Sequence, residues 1–435
     1  MAEYLTNTTD LTKVASAIRE KGGTSDPLVY PDGFVTAIQA IQAGGSAPGA
    51  PGDITFYDYD GTIVTSWTLE ELATKTALPD YPSHEGLTCQ GWNWSLADLK
   101  TTNRKMNVGA MYITDDGKTR IYIRLEEGRT SPMLGVCPNG TVTVDWGDGT
   151  TPDTLTGTST RTVKWTPTHA YASPGEYVIK LTVDGTMGFY GDSNVKIGSA
   201  ILRYSSDSDD RNRTYRNSVK RAEIGTGVTS IGSYAFNYCY SIASITIPNS
   251  VTNIEGYAFN YCYSLASITI PNSVTNIGGY AFNYCYSLAS ITIPDGITNI
   301  GASAFAACYS LASITIPDGI TSIEISAFYT CYSLAAIAIP DGITSIGANA
   351  FRSCHSLASI TIPDGITSIG ANAFRSCYGI AFYDFTSHTS VPTLSSTSAF
   401  TDIAADCQIR VPAALVDAWK AATNWSTYAD HIVGV

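Results

Sequence analysis

The sequence predicts a multi-domain, mainly β protein, in which a solenoid with a 23-residue period follows a small β-sandwich, a small α/β segment and an N-terminal helical hairpin. Three observations lead to this fold class. Identical residues recur every 23 positions in the C-terminal half, short alternating apolar segments precede them, and two short amphipathic stretches open the chain. With 435 residues, the chain is too long for one hydrophobic core, so we expect several modules in series.

Residues 1–42 are predicted to form a helical attachment module. Two short helices are indicated, each with its apolar residues on one face. Those residues are Leu11, Val14, Ile18, Phe34, Ile38 and Ile41. Each helix is too short to be stable alone, so the pair requires a partner, which is either another copy of the chain or a different protein. Residues 43–52 contain only Gly, Ala, Pro and Ser and are predicted to be a linker.

Residues 53–117 are predicted to form a small mixed α/β domain. An apolar strand is expected at residues 54–57, a helix at residues 68–76 and a second helix from about Ser95. These elements are short and few. The segment therefore has room for a small sheet but not for the large α/β sheet of a typical metabolic enzyme.

A phosphatase-like motif follows the first of these strands. Its sequence, Phe-Tyr-Asp-Tyr-Asp-Gly-Thr, resembles the nucleophile motif of haloacid-dehalogenase-type phosphatases. The resemblance implies Asp58 as nucleophile, Asp60 as acid and base, and a magnesium ion. That chemistry also needs a Lys, a Ser or Thr and further carboxylates on later strands, for which too few residues remain. We therefore predict an Asp-rich turn and no catalytic residue, with a phosphatase using Asp58 and Asp60 as the one enzymatic alternative.

Residues 118–186 are predicted to form a β-sandwich, because short strands rich in Val, Ile and Tyr alternate with Gly- and Pro-containing turns. The sequences Trp-Gly-Asp-Gly-Thr at 146–150, His-Ala-Tyr at 169–171 and Pro-Gly-Glu-Tyr at 174–177 resemble the PKD-type immunoglobulin-like domain. That resemblance implies a spacer module in which His169 has a structural role.

Residues 187–405 are predicted to form the solenoid. A unit of 23 residues is too small to bury its own apolar face and must pack against the next unit. In the segment Leu265-x-x-Ile268-x-Ile270 the apolar side chains point inward and the intervening Ser and Thr point outward, which predicts a parallel sheet with ladders of small hydroxyl groups. The recurring aromatic residues are Phe236, Phe259, Phe282, Phe305, Phe328, Phe351 and Phe374.

Seven of the ten cysteines recur with the same spacing, from Cys239 to Cys377, which predicts a ladder of buried thiols instead of disulfides. The repeating unit resembles the BspA-type leucine-rich repeat, which implies a binding surface and no catalytic site. After Phe374 the spacing changes, because Phe400 lies 26 residues further on. Residues 406–435 are predicted to close the coil with a strand and an amphipathic helix at 413–422.

Composition excludes several classes of partner. The net charge is -13, and residues 228–380 carry only eight charged residues, so a nucleic-acid interface is not expected. No basic n-region with an apolar core opens the sequence, and no apolar run is long enough to span a bilayer, so we expect neither a secretory signal nor membrane insertion.

No cofactor is predicted, because neither a Cys-x-x-Cys motif nor a Cys/His cluster is present. Calcium is the one alternative, through carboxylate oxygens. Its candidate ligands are Asp58, Asp60, Asp115, Asp116, Asp145 and Asp148. None of these sets has EF-hand spacing, and Asp-Gly pairs are common in simple turns.

A Tyr- and Asn-rich stripe recurs in the first three units of the coil and is the predicted binding surface. Tyrosine provides rigid, amphipathic contact area at a low entropic cost, which suits protein or sugar ligands. The alternative is that some of these side chains pack between turns. The stripe comprises Tyr234, Asn237, Tyr238, Tyr240, Tyr257, Asn260, Tyr261, Tyr263, Tyr280, Asn283, Tyr284 and Tyr286.

Residues 11–38 are similar to a short N-terminal module of phage and prophage structural proteins of gut bacteria. Together with the expected absence of an export signal, this similarity favours a non-enzymatic phage tail or other virion appendage protein. Its partners would be other virion proteins at the N-terminus and a host cell-surface protein or glycan at the solenoid. A homo-oligomer, possibly a trimer, is implied by resemblance to tail appendages. The alternative is a bacterial cell-surface adhesin of the BspA type.

Overall fold

Short parallel strands stacked into a coil make up the C-terminal half of the protein, as the sequence period predicts. The computed structural model describes residues 53–59, 62–102, 106–190, 201–203 and 217–435. The attachment module predicted at residues 1–42 and the linker after it lie outside the described residues. Within the described part the protein is mainly β, and the predicted fold class is confirmed there.

Residues 53–114 form a four-stranded sheet with two short helices. Its elements are β1 (Ile54–Tyr57), β2 (Ile63–Trp67), α1 (Leu69–Thr74), β3 (Leu87–Trp92), α2 (Leu96–Thr102) and β4 (Met106–Thr114). The strand order is β2-β1-β4-β3, with β1 and β4 parallel. Helix α1 begins where the sequence predicts, because Thr68 Oγ1 accepts the N–H of Glu71 while the Glu71 carboxylate accepts the N–H of Thr68.

The next six strands lie in the segment predicted to be a sandwich, called the sandwich region below, and pair into one connected sheet. They are β5 (Thr119–Leu125), β6 (Met133–Asp145), β7 (Asp153–Thr158), β8 (Lys164–Trp165), β9 (Gly175–Phe189) and β10 (Leu202–Arg203). Strand β9 pairs antiparallel with β5 and β6, and β10 pairs with β6. Two predicted details therefore differ: β9 continues beyond residue 186, and residues 202–203 belong to this region instead of to the solenoid.

The sandwich region is joined to the coil by continuous strand pairing. Strand β5 pairs antiparallel with β11 (Val219–Glu223), and β9 pairs in parallel with β12 (Val228–Ile231). An exposed first turn would leave a row of backbone N–H and C=O groups unpaired, and β5 and β9 satisfy them. One hydrophobic core extends from Ile121 to Ile432, so the expected separate modules share a single interior.

The coil contains two columns of short parallel strands. After β11 the first column consists of β13 (Ser244–Thr246), β14 (Ser267–Thr269), β16 (Ser290–Thr292), β18 (Ser313–Thr315), β20 (Ala336–Ala338), β22 (Ser359–Thr361), β24 (Phe382–Asp384), β26 (Gln408–Val411) and β27 (Ile432–Gly434). After β12 the second consists of β15 (Asn276–Ile277), β17 (Asn299–Ile300), β19 (Ser322–Ile323), β21 (Ser345–Ile346), β23 (Ser368–Ile369) and β25 (Thr393–Leu394). Equivalent residues of successive units pair, for example Ile268 with Ile291.

The interior of the coil is a continuous stack of phenylalanine rings. Phe282 and Phe305 have ring centroids 5.5 Å apart and almost parallel planes, and every repeat phenylalanine is buried. The stack continues across the irregular unit, because Phe374 and Phe400 are 5.4 Å apart despite their longer sequence separation. The Ile and Leu residues of the strands fill the remaining interior.

The recurring cysteines form the predicted ladder of buried thiols. All are free, and each of the later six donates a hydrogen bond from Sγ to a phenylalanine carbonyl of the preceding turn, for example Cys331 to Phe305 O at 3.2 Å. Because the thiol is a donor only when protonated, this arrangement requires the neutral form. Burial raises the pKa of Cys331 and of Cys377 to about 12, from an ordinary value of 9.0.

These thiols predict a loss of stability at high pH. In the unfolded chain a thiol ionises near pH 9.0, whereas Cys331 keeps its proton in the folded chain until about pH 12. Its stabilising effect is therefore complete below the lower value and is lost as the pH rises through the higher one. We expect urea denaturation from about pH 8 to about pH 11 to show a falling free energy of unfolding, with a shallower fall in a Cys331→Ala/Cys377→Ala chain. A free energy independent of pH in this range would contradict the ladder.

The α/β domain lies against the hydroxyl face of the first column. Strand β4 crosses this face, where Asn107 Nδ2 donates to Ser313 Oγ at 3.3 Å. On the other side of the contact, Ser267 Oγ donates to the carbonyl of Tyr59 at 3.1 Å. The outward-facing Ser and Thr residues of β14 and β16 are consequently buried, whereas Thr361 further along the same face is exposed.

Buried aromatic residues lie at the C-terminal end of the coil, where a strand and an amphipathic helix are predicted. The expected helix at 413–422 is shorter than predicted: a 3-10 turn at Ala413–Leu415 precedes α3 (Val416–Ala421). A second 3-10 segment at Trp425–His431 leads into β27. Trp419 and Trp425 are fully buried beside Phe385, so the last turn has no open apolar face.

Candidate binding surface

Nine tyrosines of the predicted stripe stack in three columns along the coil. Tyr234, Tyr257 and Tyr280 form the first column, with ring centroids 4.8 and 4.7 Å apart. The second column has spacings of 4.6 and 4.5 Å, and the third begins with spacings of 4.6 and 4.7 Å. The second column consists of Tyr238, Tyr261 and Tyr284, and the third begins with Tyr240, Tyr263 and Tyr286. The spacing equals that of adjacent strands, which is why equivalent rings meet face to face.

The third column is longer than the stripe predicted. It continues from Tyr286 through Tyr309 and Tyr332 to His355 and ends at Tyr378, with successive centroids 4.5, 4.8, 4.9 and 5.3 Å apart. The histidine takes the place of a tyrosine and keeps the stack intact. Periodicity of the sequence could have revealed these additional members, since they occupy the same position in each unit.

The asparagines of the stripe are not part of the surface. Asn237, Asn260 and Asn283 are only 2, 4 and 8% exposed. Asn260 Nδ2 donates to Asn237 Oδ1 at 3.0 Å, whereas the buried Asn260 Oδ1 accepts no hydrogen bond. This burial differs from the predicted site, in which the three asparagines belong to the binding surface. The candidate surface therefore consists of tyrosines alone.

The backbone beneath the first two columns is left-handed. Tyr234, Tyr257 and Tyr280 have φ values of 62, 60 and 60°, and the second column is similar. This conformation is unusual for bulky residues and is favoured by Gly and Asn. Later units use Asn349 and Asn372 at the position of Tyr280, so the backbone does not require tyrosine there.

Stacking determines which part of each tyrosine a ligand can reach. Within a column, each inner ring has neighbours on both faces, so solvent reaches its edge. Burial, followed by the neighbouring phenols, raises the pKa of Tyr261 to about 12, so the hydroxyl group of this inner ring is neutral at physiological pH. The stripe thus offers a nearly uncharged row of ring edges and hydroxyl groups.

The phosphatase alternative does not fit the described residues. Asp58 lies in the turn between β1 and β2, as predicted, and its side chain is nearly buried. Its Oδ1 accepts the N–H of Tyr59 at 2.8 Å, and its Oδ2 lies 2.7 Å from His84 Nε2. The carboxylate is therefore already hydrogen-bonded within the domain. Asp60 lies outside the described residues.

The other acidic residues proposed for calcium are engaged with protein groups. Asp116 pairs with Arg120 at 2.8 Å, and Asp145 and Asp148 accept backbone N–H groups of the following turn. In the part of the chain that the structure describes, no group of three or more His, Cys, Asp or Glu residues is placed to hold a metal ion.

The residues of the PKD-like motif form a packed cluster. The rings of Trp146 and His169 are stacked with centroids 4.5 Å apart, and His169 Nε2 lies 2.8 Å from Asp148 Oδ2. Tyr171 donates from its hydroxyl to the carbonyl of Trp146 at 3.0 Å. The His169 ring is thus held between an indole ring and a carboxylate inside the fold.

Comparison with known families identifies the coil. Residues 212–334 and 275–406 match the family described as BspA type leucine rich repeat region, with six copies. The coil is a leucine-rich-repeat solenoid. Comparison with curated proteins gives no match. Among the described residues, no helix has the length and apolar character needed to cross a membrane.

Solved leucine-rich-repeat structures resemble the chain over part of its length. A leucine-rich repeat protein from Bacteroides ovatus is 27% identical, over 43% of this chain and 47% of that one, with a TM-score of 0.39. A leucine rich cell surface protein from Faecalibacterium prausnitzii is 32% identical, over 43% and 58%, with a TM-score of 0.31. The leucine rich repeat protein of T. pallidum is 27% identical, over 42% and 85%, with a TM-score of 0.33. The chain thus spans about half of the first two.

Proposed function

We propose that this chain is a non-enzymatic adhesin, in which the exterior of the leucine-rich-repeat solenoid binds a protein or glycan on a host surface. The observation that carries the proposal is the set of stacked tyrosines, two of whose columns are held on left-handed backbone where Asn would fit with less strain. Large, rigid aromatic side chains with few rotatable bonds are the usual contact residues of binding surfaces.

We place this role on a bacterial cell surface. The BspA type match to the repeat region supports this location, which is the alternative to the virion hypothesis. The virion hypothesis depends on residues 1–42, which lie outside the described residues. Its own test is deletion of residues 1–42, which should prevent incorporation into particles; normal incorporation of the truncated chain would contradict it.

Loss of the second tyrosine column tests the adhesin role. Replacing Tyr238, Tyr261 and Tyr284 by Ser, the residue that the chain uses at the equivalent positions 353 and 376, should weaken binding to cultured intestinal epithelial cells by about tenfold or more. Ser occurs on the same left-handed backbone elsewhere in the chain, so the coil should still fold, with a melting temperature lowered by the loss of two ring stacks. Binding is measured by flow cytometry with the labelled full chain.

A matched control uses the same number of identical substitutions outside the stripe. Tyr309, Tyr332 and Tyr378 belong to the third column beyond the first three units. Their replacement by Ser should leave cell binding within about twofold of the unsubstituted chain, which corresponds to a change of about 0.4 kcal/mol in binding free energy. Equal losses of cell binding in both triple variants, or no loss in the first, would mean that the tyrosines of the stripe pack the coil and do not contact the ligand.

A further inference from the structure

One histidine is buried at the C-terminal end of the coil. His388 lies in the segment 385–392, which joins β24 to β25 and is longer than the corresponding segment 362–367 of the preceding unit. Its side chain is only 3% exposed, and neither Nδ1 nor Nε2 has a hydrogen-bond partner. Buried polar groups are usually hydrogen-bonded, so this ring is held in its place at a cost to stability.

The His388 ring packs against the aromatic residues that close the coil. Its centroid lies 5.2 Å from that of Phe385 and 6.0 Å from that of Trp419. Trp419 in turn lies 4.6 Å from Trp425, whose Nε1 donates to the carbonyl of Pro392 at 2.8 Å. We call His388, Phe385, Trp419 and Trp425 the end cluster. It joins the connection between β24 and β25 to α3 and to the 3-10 segment that follows this helix.

The surroundings of His388 favour the neutral ring. Burial is the largest influence and lowers the pKa of the ring below its ordinary value of 6.5, because a protonated ring would lose its hydration. The carbonyl of Ile366, the carboxylate of Asp364 and the carbonyl of Phe385 oppose this effect only in part. Trp419 Nε1 also has no hydrogen-bond partner, and an indole N–H can only donate, so it cannot accept a bond from a charged ring.

The other charged and titratable groups of the surrounding elements are exposed or already engaged. The carboxylate of Asp384, on β24, accepts two hydrogen bonds within its own turn, and Arg410, on β26, lies 3.8 Å from the centroid of an aromatic ring. On α3, Asp417 and Lys420 are exposed to solvent. His431 has Nδ1 2.9 Å from a backbone carbonyl, which can accept a hydrogen bond from its protonated form as well. The buried histidine is therefore the group whose protonation opposes closure.

We propose that the end cluster is an acid-sensitive closure of the coil, which is shut while His388 is neutral and opens when this ring takes up a proton. Because the ring binds a proton more readily in the open form, opening is insensitive to pH above about 6.5 and increases below that value. For every pH unit in which the closed ring stays neutral, the equilibrium constant for opening rises about tenfold. The tyrosine stripe lies in the first three units, at the other end of the coil, so this inference is independent of the proposed adhesin role.

Hydrogen exchange of residues 413–431 in the full chain tests the closure, with measurements at about pH 7.5 and about pH 5.0. His388→Phe replaces the ring by one of similar size that cannot take up a proton. At each pH the exchange rate of the unsubstituted chain is divided by that of the variant, so that the intrinsic effect of pH on exchange cancels. We expect this ratio to be about threefold to thirtyfold larger at the lower pH, and the upper limit applies to a closed ring that stays neutral throughout.

His431→Asn and His355→Tyr are the matched controls, because each also removes one histidine. His431 lies in the measured segment, and His355 lies in the third tyrosine column. Neither substitution should reduce the response to acid. A second measurement follows the ring directly, by nuclear magnetic resonance of the full chain carrying ¹³C-labelled histidine. The resonance that is absent from the His388→Phe spectrum should titrate with a pKa below the ordinary value of 6.5.

The outcomes decide whether this histidine controls the end of the coil. Faster exchange in acid that is abolished by His388→Phe and by neither control supports the proposal. An exchange ratio that is the same at both pH values overturns it, as does a control substitution that abolishes the response, because another histidine is then responsible. A His388 resonance that titrates at or above its ordinary pKa also overturns it, by a measurement on the unsubstituted chain.

Discussion

Replacement of Phe305 by Ala is expected to lower the free energy of unfolding by about 3–5 kcal/mol. The ring is completely buried and lies between Phe282 and Phe328, at centroid distances of 5.5 and 5.8 Å. Its neighbours are held in place by their own turns, so they cannot move inward to fill the cavity. Because each turn of a solenoid contacts only the adjacent turns, the loss also weakens the connection between the two halves of the coil.

Urea denaturation measures this effect, and Tyr309→Ala is its matched control. Tyr309 belongs to the same turn and stacks on Tyr286 and Tyr332 at 4.5 and 4.8 Å, but its edge is accessible to solvent. Loss of an exterior stack should cost about 0.5–1.5 kcal/mol beyond the area that it buries. Equal destabilisation by the two substitutions would mean that the interior stack contributes no more than the exterior one.

Replacement of Gly109 by Ala is expected to separate the α/β domain from the coil. A Cβ atom at this position would lie 2.5 Å from Thr269 Oγ1 and 2.6 Å from Thr292 Oγ1. The backbone cannot retreat easily, because Gly109 N–H donates to Asn93 Oδ1 at 2.8 Å and Gly109 O accepts the N–H of Asn93. Overpacking of this kind costs about 1–3 kcal/mol, which is large for a contact made by one strand.

Hydrogen exchange of the β14 and β16 amides reports on this separation, and we expect faster exchange there with little change elsewhere in the coil. The triple variant Gly109→Ala/Thr269→Ala/Thr292→Ala should restore protection, because it removes the atoms that clash. Thr292 Oγ1 has no hydrogen-bond partner, so its removal costs little. Gly296→Ala, whose Cβ would approach Asn272 O only to 3.5 Å, is the control. Unchanged exchange in the Gly109→Ala chain would contradict a tight contact.

Periodicity predicted the interior of the coil because stacking converts a sequence interval into a spatial contact. Residues 23 positions apart, such as Phe282 and Phe305, must meet when the turns pair in register. The same argument located the thiol ladder and the tyrosine columns. It did not show that Asn260 is buried. Tyr257 and Tyr261, which lie before and after this residue in the sequence, have a left-handed backbone, and that conformation cannot be predicted from Tyr and Asn residues alone.

The contacts between modules could not be predicted from the sequence. The face that β4 covers is made of Ser and Thr, which carry no apolar signal for burial, and its partner Gly109 has no side chain to suggest an interface. Likewise, the pairing of β5 with β11 joins segments almost a hundred residues apart that are each typical of an ordinary strand.

Both ends of the coil are sealed, by β5 and β9 at one and by β27 with the buried tryptophans at the other. Within the coil, the strands that close each end pair only with the adjacent turn, so they do not depend on the number of units between the two ends. Gene duplication or deletion of one whole unit would change the reach of the protein by about 4.8 Å while leaving its termini intact. The 26-residue interval between Phe374 and Phe400 shows that a few additional residues are tolerated as a bulge outside the ring stack. The length of the coil can therefore change during evolution by one repeat unit at a time.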